Sequence, residues 1–490
     1  MKKVFEKTLG KARTTLSKGK EKFSHTPAAL TDSLRSAVDQ GLDKHVKLAV
    51  TGLSRSGKSA FITALLHQLQ HTGYGHLNVG FPAANNIKGV RRAEQKDLSV
   101  QTFPYKRALK LLGGDNPAWP PSTTGMSQMR ITISYAPKSR LRRKISDISR
   151  LHLDIIDYPG EWLLDLPLLD MTYAEWCSMS MELCDSAVRA QLAAPWLSAM
   201  HGMNPSETAE EEQVRNVSEL YTEYLHACKA SSADLSIIQP GRFVLPGELA
   251  GTPVLTFFPM RLNNFDEETA DKHSLFKVLE RRFEYYKKHV VQAFYKKYFC
   301  RFDRQIVLLD CLKAMNLGYD TFTDMQGAVK LLLKSFNYGR NSIFSRFFSP
   351  RIDKVLFAAT KADHVTPEQF DNLENFLKRL VAESELDIRS RAITTGTQVL
   401  ASIRATEAAM AQHEGQQIPC IRGNRLSTGE PVSIFPGEVP STIPSRADWD
   451  TSRFNFIDFA PPLHQDIHLL PMPHINIDKT LDYLIGDKFK

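Results

Sequence analysis

Long apolar runs are missing from this chain of 490 residues. No stretch reaches the roughly 18 consecutive apolar residues that a membrane-spanning helix needs. The opening segment MKKVFEKTLGKARTTLSK lacks the apolar centre of a signal peptide. Cysteine is scarce as well. Six stand singly at 177, 184, 228, 300, 311 and 420, with no C-x-x-C pair. Zinc ribbons and dithiol redox chemistry are therefore not expected, and a reduced, cytoplasmic setting is. His464, His468 and His474 lie in a proline-rich stretch without metal-ligand spacing, and no Ser/His or metal-hydrolase signature occurs. Neither sign of charge dominates: 62 Lys and Arg against 54 Asp and Glu leave +8, which permits an acidic partner without specifying one. The basic clusters SRLRRK (139–144) and ERRFEYYKKH (280–289) mix charge with aromatics. Phe283, Tyr285, Tyr286 and Phe294 fit a helix core stripe at least as well, so nucleic acid is not the expected partner.

What remains is an ordinary globular composition, 42% hydrophobic and 24% charged, at a length that calls for more than one structural unit. Residues 1–44 read as a basic helical extension with a thin apolar stripe at Val4, Phe5, Leu9, Leu16 and Phe23. Two readings stand: a solvated helix, or a weak peripheral contact with an anionic inner-membrane surface. Strand-like runs recur at HVKLAVTG, MRITISY, LHLDIIDYPG, RQIVLLDCL, DKVLFAATKAD and VLASIRAT, the second and third forming a hairpin. Residues 73–128 read as a long irregular loop, and 163–300 as mainly helical, with one long amphipathic helix over HSLFKVLERRFEYYKKHVVQAFYKKYF. Thr366 and Gln369 form a capping-box pair before the helix at TPEQFDNLENFLKRL. Nine of the 26 prolines fall in 413–490, which reads as β-like pieces and a terminal helix. The expected fold is α/β: a mostly parallel sheet with one antiparallel hairpin strand, built from 45–162 and 301–412 and interrupted by the helical 163–300.

Three motifs sit at strand ends in a telling order. The first is GLSRSGKSAF, 52–61, between a strand and a helix. Its glycines let backbone N–H groups curl around phosphate oxygens, Lys58 supplies charge, and Ser59 can hold Mg²⁺. Gly52, Ser54, Arg55, Ser56, Gly57, Lys58, Ser59 and Ala60 are the candidate phosphate-loop residues. The second is Asp157-Tyr-Pro-Gly160, with an acidic residue suited to the Mg²⁺ shell and a glycine suited to a γ-phosphate. The third is TKAD, Thr360 to Asp363. A carboxylate there can accept two hydrogen bonds from guanine, and adenine offers no such donor pair.

This order resembles the Ras-like group of P-loop GTPases over 45–162 and 301–412. The resemblance implies GTP or GDP as ligand, Lys58 on the β/γ-phosphates, Ser59 and Asp157 around Mg²⁺, Gly160 at the γ-phosphate, and Thr360, Lys361 and Asp363 at the base. Thr360 stands where the usual pattern has Asn. A threonine that closes over Mg²⁺ is implied at Thr123 or Thr124, with Ser122 also open, and a base-edge loop at Arg404, Ala405 and Thr406. The glutamine that orients water in many such proteins is replaced by Glu161. GLSRSGKS is also similar to the phosphate loop of guanylate-binding proteins and atlastins, which implies a catalytic role for Arg55. A surface arginine paired with a carboxylate is the plainer reading. GLSRSGKSAF, DYPGEWLLDLPLL, LLDCLKAMNLG, VLFAATKADHV and PMPHINIDKTLDYLIGDK together resemble the YcjX-like family of proteobacterial P-loop proteins. That resemblance implies a cytosolic, stress-associated nucleotide-binding protein. A GTP-hydrolysing switch, closing 78–128 and 160–170 and signalling to a protein partner through the insertion, is the leading expectation. An ATPase and a nucleotide-stabilised scaffold are the alternatives.

Overall fold

The computed structural model describes residues 43–489 except 73–76, 78–79, 139–146, 231–232, 264, 337–350, 390–392, 414, 451–453 and 465, and omits the side chains of 383–389 and 413. The basic helix expected over 1–44 lies outside the described residues but for its last two, and the SRLRRK cluster lies outside them altogether.

The core is an eight-stranded sheet in the order β2-β4-β5-β1-β6-β7-β8, with β3 against β4. The strands are β1 (Lys44–Gly52), β2 (Ile87–Ala93), β3 (Gln101–Thr102), β4 (Ser127–Tyr135), β5 (Ser149–Asp157), β6 (Arg304–Leu309), β7 (Lys354–Ala359) and β8 (Thr394–Val399). β1 pairs in parallel with β5 and β6, and β6, β7 and β8 continue in parallel. β4 and β5 form the antiparallel hairpin, in the register Ser127↔Asp157. The loop assigned to 73–128 is more ordered than its composition suggested. It holds β2, antiparallel to β4 at the sheet edge, and a helix, α2 (Tyr105–Leu112), which follows α1 (Lys58–Gln70). β2 reads IKGVRRA and has no fully buried residue, so an edge strand of this kind carries little apolar alternation to detect.

Burial on both faces explains the continuous apolar strands. Val46, Leu48 and Val50 of β1 pack with Phe61 and Leu65 of α1. Leu481, Leu484 and Ile485 of the C-terminal helix join the same core. Ala49 faces the other side, whose core runs without a break into Trp176, Phe257 and Phe283 of the insertion. The helical block is thus one cover of the sheet and not a separately cored module.

The insertion carries α3 (Tyr173–Leu183), α4 (Ala187–Met200), α5 (Glu211–Lys229) and α6 (Leu275–Tyr286). α3 starts at a capping box between Thr172 and Glu175. The long helix expected over 273–299 forms: α6 passes through one π-helical turn, Lys287–Val291, and continues as Gln292–Lys297. After the insertion come α7 (Cys311–Asn316), α8 (Tyr319–Ser335) and α9 (Phe370–Arg389), then a second sheet of β9 (Glu407–His413), β10 (Gln416–Asn424) and β11 (Pro431–Ile434), and α10 (Ile477–Ile485).

Two local expectations fail. The last core strand is 394–399 and not VLASIRAT, whose residues beyond Val399 leave the sheet. The Thr366–Gln369 capping box does not form. The Gln369 side chain instead donates to Gly437 O (2.9 Å) and accepts from Val439 N (2.5 Å), tying the helix start to the C-terminal segment.

Candidate functional site

β1 runs into the 52–59 loop, and α1 begins at Lys58. Gly57 has φ 83°, which glycine adopts without a Cβ penalty. No side chain caps α1, so its first N–H groups are free to receive an anion. At Gly52 a Cβ would collide with Leu308 O and the Ser56 hydroxyl, so only glycine lets β1 and β6 meet there. Lys58 Nζ donates to Gly52 O at 3.2 Å. Ser56 is buried with Oγ unpartnered, and Ser54 is half-buried beside the cavity without lining it.

Oxygen donors gather at the start of α1. Ser59 Oγ donates to Pro121 O (3.0 Å) and lies 3.4 Å from Thr123 Oγ1, which donates to Asp157 Oδ2 at 2.7 Å. Of the three hydroxyl candidates, Thr123 makes this contact, Ser122 only lines the cavity, and Thr124 is exposed outside it. Asp157 is 2% exposed, and its Oδ1 has no hydrogen-bond partner. Burial pushes its carboxyl up to about 6, against the pull of Lys58 and the Thr123 bond. Two hydroxyls and a carboxylate with an orphaned buried oxygen form a donor set that fits a hard divalent cation such as Mg²⁺.

At the far end, Lys361 follows β7 with φ 58°. Its Nζ lies 2.6 Å from both Asp310 and Asp458, and these carboxylates outweigh the cost of burial and raise its pKa. Thr360 N donates to Leu309 O at 2.9 Å. Asp363 lines the cavity, and its Oδ2 accepts the Ala405 N–H at 2.7 Å. Thr406 Oγ1 donates to Asp363 O. The loop expected at the base edge meets the cavity a few residues earlier than its sequence suggested. Arg404, Ala405 and Thr406 do not line the cavity; Ala401, Ser402 and Ile403 do, while Ala405 braces Asp363. The misplaced strand end produced that error, because the loop begins right after Val399.

Gly160 does not reach the cavity. It packs on Gly52, where a Cβ would overlap Gly52 O. Glu161 does not line the cavity and is 5% exposed. Burial opposes its charge, but Lys229 Nζ of α5, 2.5 Å from Oε1, holds its carboxyl below the usual range with help from Lys58. The next residues are clamped as well. Asp165 accepts from Gly241 N (2.8 Å) and Tyr286 Oη (2.5 Å), Leu163 O accepts from Ser335 Oγ (2.7 Å), and Arg242 lies 3.3 Å over the Trp162 ring. Residues 160–170 were expected to close on a ligand, but they form a buried interface with the insertion. Arg55, with φ 59°, lines the cavity, and its Nε lies 3.8 Å from Asp234 Oδ1 of the insertion.

One cavity of about 370 Å³ joins Arg55–Ala60, Ser122–Thr123, Thr360, Lys361 and Asp363. Sequence reasoning missed Lys313, Trp119 and, from the C-terminal segment, Leu426, Asp458 and Phe459, which also line it. Trp119 Nε1 donates to Phe459 O at 2.8 Å, fastening that roof. Lys313 sits in LLDCLKAMNLG, which gave the family resemblance but no role for the lysine, and FNFIDF carried no signal beyond its β-like pattern.

The cavity opens at the carboxyl ends of β1, β6, β7 and β8, where ligands enter open α/β sheets. This arrangement, on a mostly parallel sheet with an antiparallel hairpin, belongs to the Ras-like α/β class. The chain belongs to the YcjX-like family, DUF463, whose model matches residues 46–489. It is 43% identical to a protein of Escherichia coli strain K12 named Ras-like GTPase YcjX, across 94% of this chain and 99% of that protein. It is 37% identical to a protein of the same name from Shewanella oneidensis strain MR-1, across 94% of this chain and 98% of the other.

Proposed function

We propose that this protein binds and hydrolyses GTP as a Mg²⁺-dependent switch. The observation that carries the reading is one cavity with Ser59 and Thr123 at one end, Thr123 bonded to the half-satisfied Asp157 behind it, and the braced Asp363 at the other. The names of the relatives support the same reaction. In this reading the loop N–H groups and Lys58, released from Gly52 O, receive the β- and γ-phosphates. Ser59, Thr123 and Asp157 hold Mg²⁺, which supplies neutralisation of phosphate charge. Asp363 accepts from guanine N1 and N2, positioned by Ala405. Arg55 faces the phosphate end and stabilises charge that builds on the β–γ bridge, the part a water-orienting glutamine does not play here. Gly160 lets the second motif lie against the phosphate loop. Segment 160–170 passes the state of the site to the insertion, the surface offered to a protein partner.

Base competition tests the reading. GTP should displace a bound fluorescent guanine nucleotide at least tenfold better than ATP, and Asp363→Asn should weaken GTP on the order of 100-fold while admitting xanthine nucleotides. Tighter binding of ATP to the wild type would overturn the base assignment. A scaffold that holds nucleotide with little hydrolysis is the second reading, favoured by Glu161 being locked to Lys229. Absence of turnover in purified protein with Mg²⁺ and GTP would select it.

A further inference from the structure

Four non-glycine residues have left-handed backbones among the described residues: Arg55, Asp234, Lys361 and Asn476. Such conformations are costly for side-chain-bearing residues and persist where surroundings enforce them, often at functional sites. Two of them face each other. Arg55, φ 59°, stands on the glycine loop, and Asp234, φ 48°, stands on the turn after α5. Their side chains form an ion pair, Nε to Oδ1, at 3.8 Å. That is beyond hydrogen-bond length, and Oδ1 has no other partner although it is buried. Oδ2 of the same carboxylate holds Lys313 Nζ at 2.9 Å, and Lys313 also lines the cavity.

The turn carrying Asp234 is fixed from behind. Asp234 N donates to Ala230 O (2.7 Å) and Leu235 N to Cys228 O (2.9 Å). Asp324 of α8 accepts from Ser236 N (2.5 Å) and Ile237 N (3.0 Å). Arg189 of α4, buried and paired with Asp324, donates to Ile237 O at 2.8 Å. A carboxylate on so rigid a turn can orient a flexible arginine whose side chain is 39% exposed. The closest approach is through Nε, which leaves the two terminal amino groups for a phosphate.

We infer that Asp234 is a positioning residue for the proposed hydrolysis. From the insertion it aims the Arg55 guanidinium, with Lys313 beside it, at the phosphate end of the cavity. This rests on the catalytic reading of Arg55, and it makes the insertion part of the hydrolytic machinery. Repacking of the insertion would then reach the phosphates through Asp234.

A double-mutant cycle on the full-length chain tests this: wild type, Arg55→Ala, Asp234→Asn and the pair, assayed for steady-state GTP hydrolysis with Mg²⁺. Asparagine tolerates the left-handed backbone, so the substitution removes charge and little else. Arg55→Ala should lower kcat at least tenfold. Asp234→Asn should lower it about three- to tenfold with KM kept within about twofold, the split of an interaction made in the transition state. The double variant should hydrolyse within about twofold of Arg55→Ala alone, because Asp234 acts through Arg55. If Asp234→Asn does not fold, Asp234→Gly, free of left-handed strain, takes its place under the same criteria. Wild-type kcat in the Asp234 variant, a loss confined to KM, or a double variant at the product of the single losses would overturn the inference and leave Arg55 standing. Wild-type turnover in Arg55→Ala, or no turnover in the wild type, would overturn the parent reading with it.

Discussion

Asp157 offers the sharpest quantitative check of the site. Its carboxyl is 2% exposed, accepts one bond from Thr123 and leaves Oδ1 without a donor. Burial raises its pKa from 3.8 to about 6. At 1.36 kcal/mol for each tenfold change in proton affinity, the ionised folded state carries a penalty of about 3 kcal/mol. The sign follows from linkage. A folded-state pKa above the unfolded one gives stability that is present below about pH 4 and lost as pH rises through about 6. Roughly half of the loss falls between pH 5 and 7.5. Asp157→Asn cannot ionise and does not share this slope. In nucleotide-free, Mg²⁺-free protein, the stability of the wild type relative to Asp157→Asn should therefore drop by about 1 kcal/mol across that interval, about one degree of relative melting temperature for a chain of this length. Taking the difference between the two proteins cancels the other titrating groups and any constant cost of the buried amide. Mg²⁺ and GDP should reverse the trend, because the cation needs the carboxylate and competes with the proton; their stabilising effect should grow up to about pH 6 and then level. Thermal unfolding of both proteins at pH 5, 6 and 7.5, with and without Mg²⁺–GDP, reads all of this. A relative stability that stays flat in the absence of Mg²⁺ would refute the strained-carboxylate account.

Glu161→Gln tests whether the position can act on water. Loss of the charge leaves Lys229 without its ion-pair partner, so stability should fall by about 1–3 kcal/mol with no gain in turnover; faster hydrolysis would refute the structural role. Gly160→Ala places a Cβ on Gly52 O, which should cost about 1–3 kcal/mol and weaken Mg²⁺–nucleotide binding. Unchanged melting temperature and affinity would show that the two glycines separate freely.

The strand–loop–helix around Gly52 to Ser59 was legible because local chemistry forces it: buried alternation on both faces, then glycines, then helical periodicity. The β4–β5 hairpin was legible for the same reason. β2 was not, since an exposed edge strand needs no apolar pattern. The base-edge loop was misread by a few residues because the strand before it, TTGTQV, is only partly buried and polar, and the apolar run that follows is loop. Thr123 stood out from its neighbours only once Asp157 was beneath it.

Sequence alone therefore determined the class of fold and the motifs from which the cavity is built, because each motif is a strand end with the loop that follows it. Tertiary structure decided what encloses and controls them. It brought Asp458 and Phe459 to Lys361 and Trp119, Lys229 to Glu161, and Asp234 to Arg55. Each of these pairs joins charges or polar groups from distant segments through a shared hydrophobic core. A lone carboxylate in a loop bears no mark of the cation it will meet, so contacts of this kind exist only after the chain has folded.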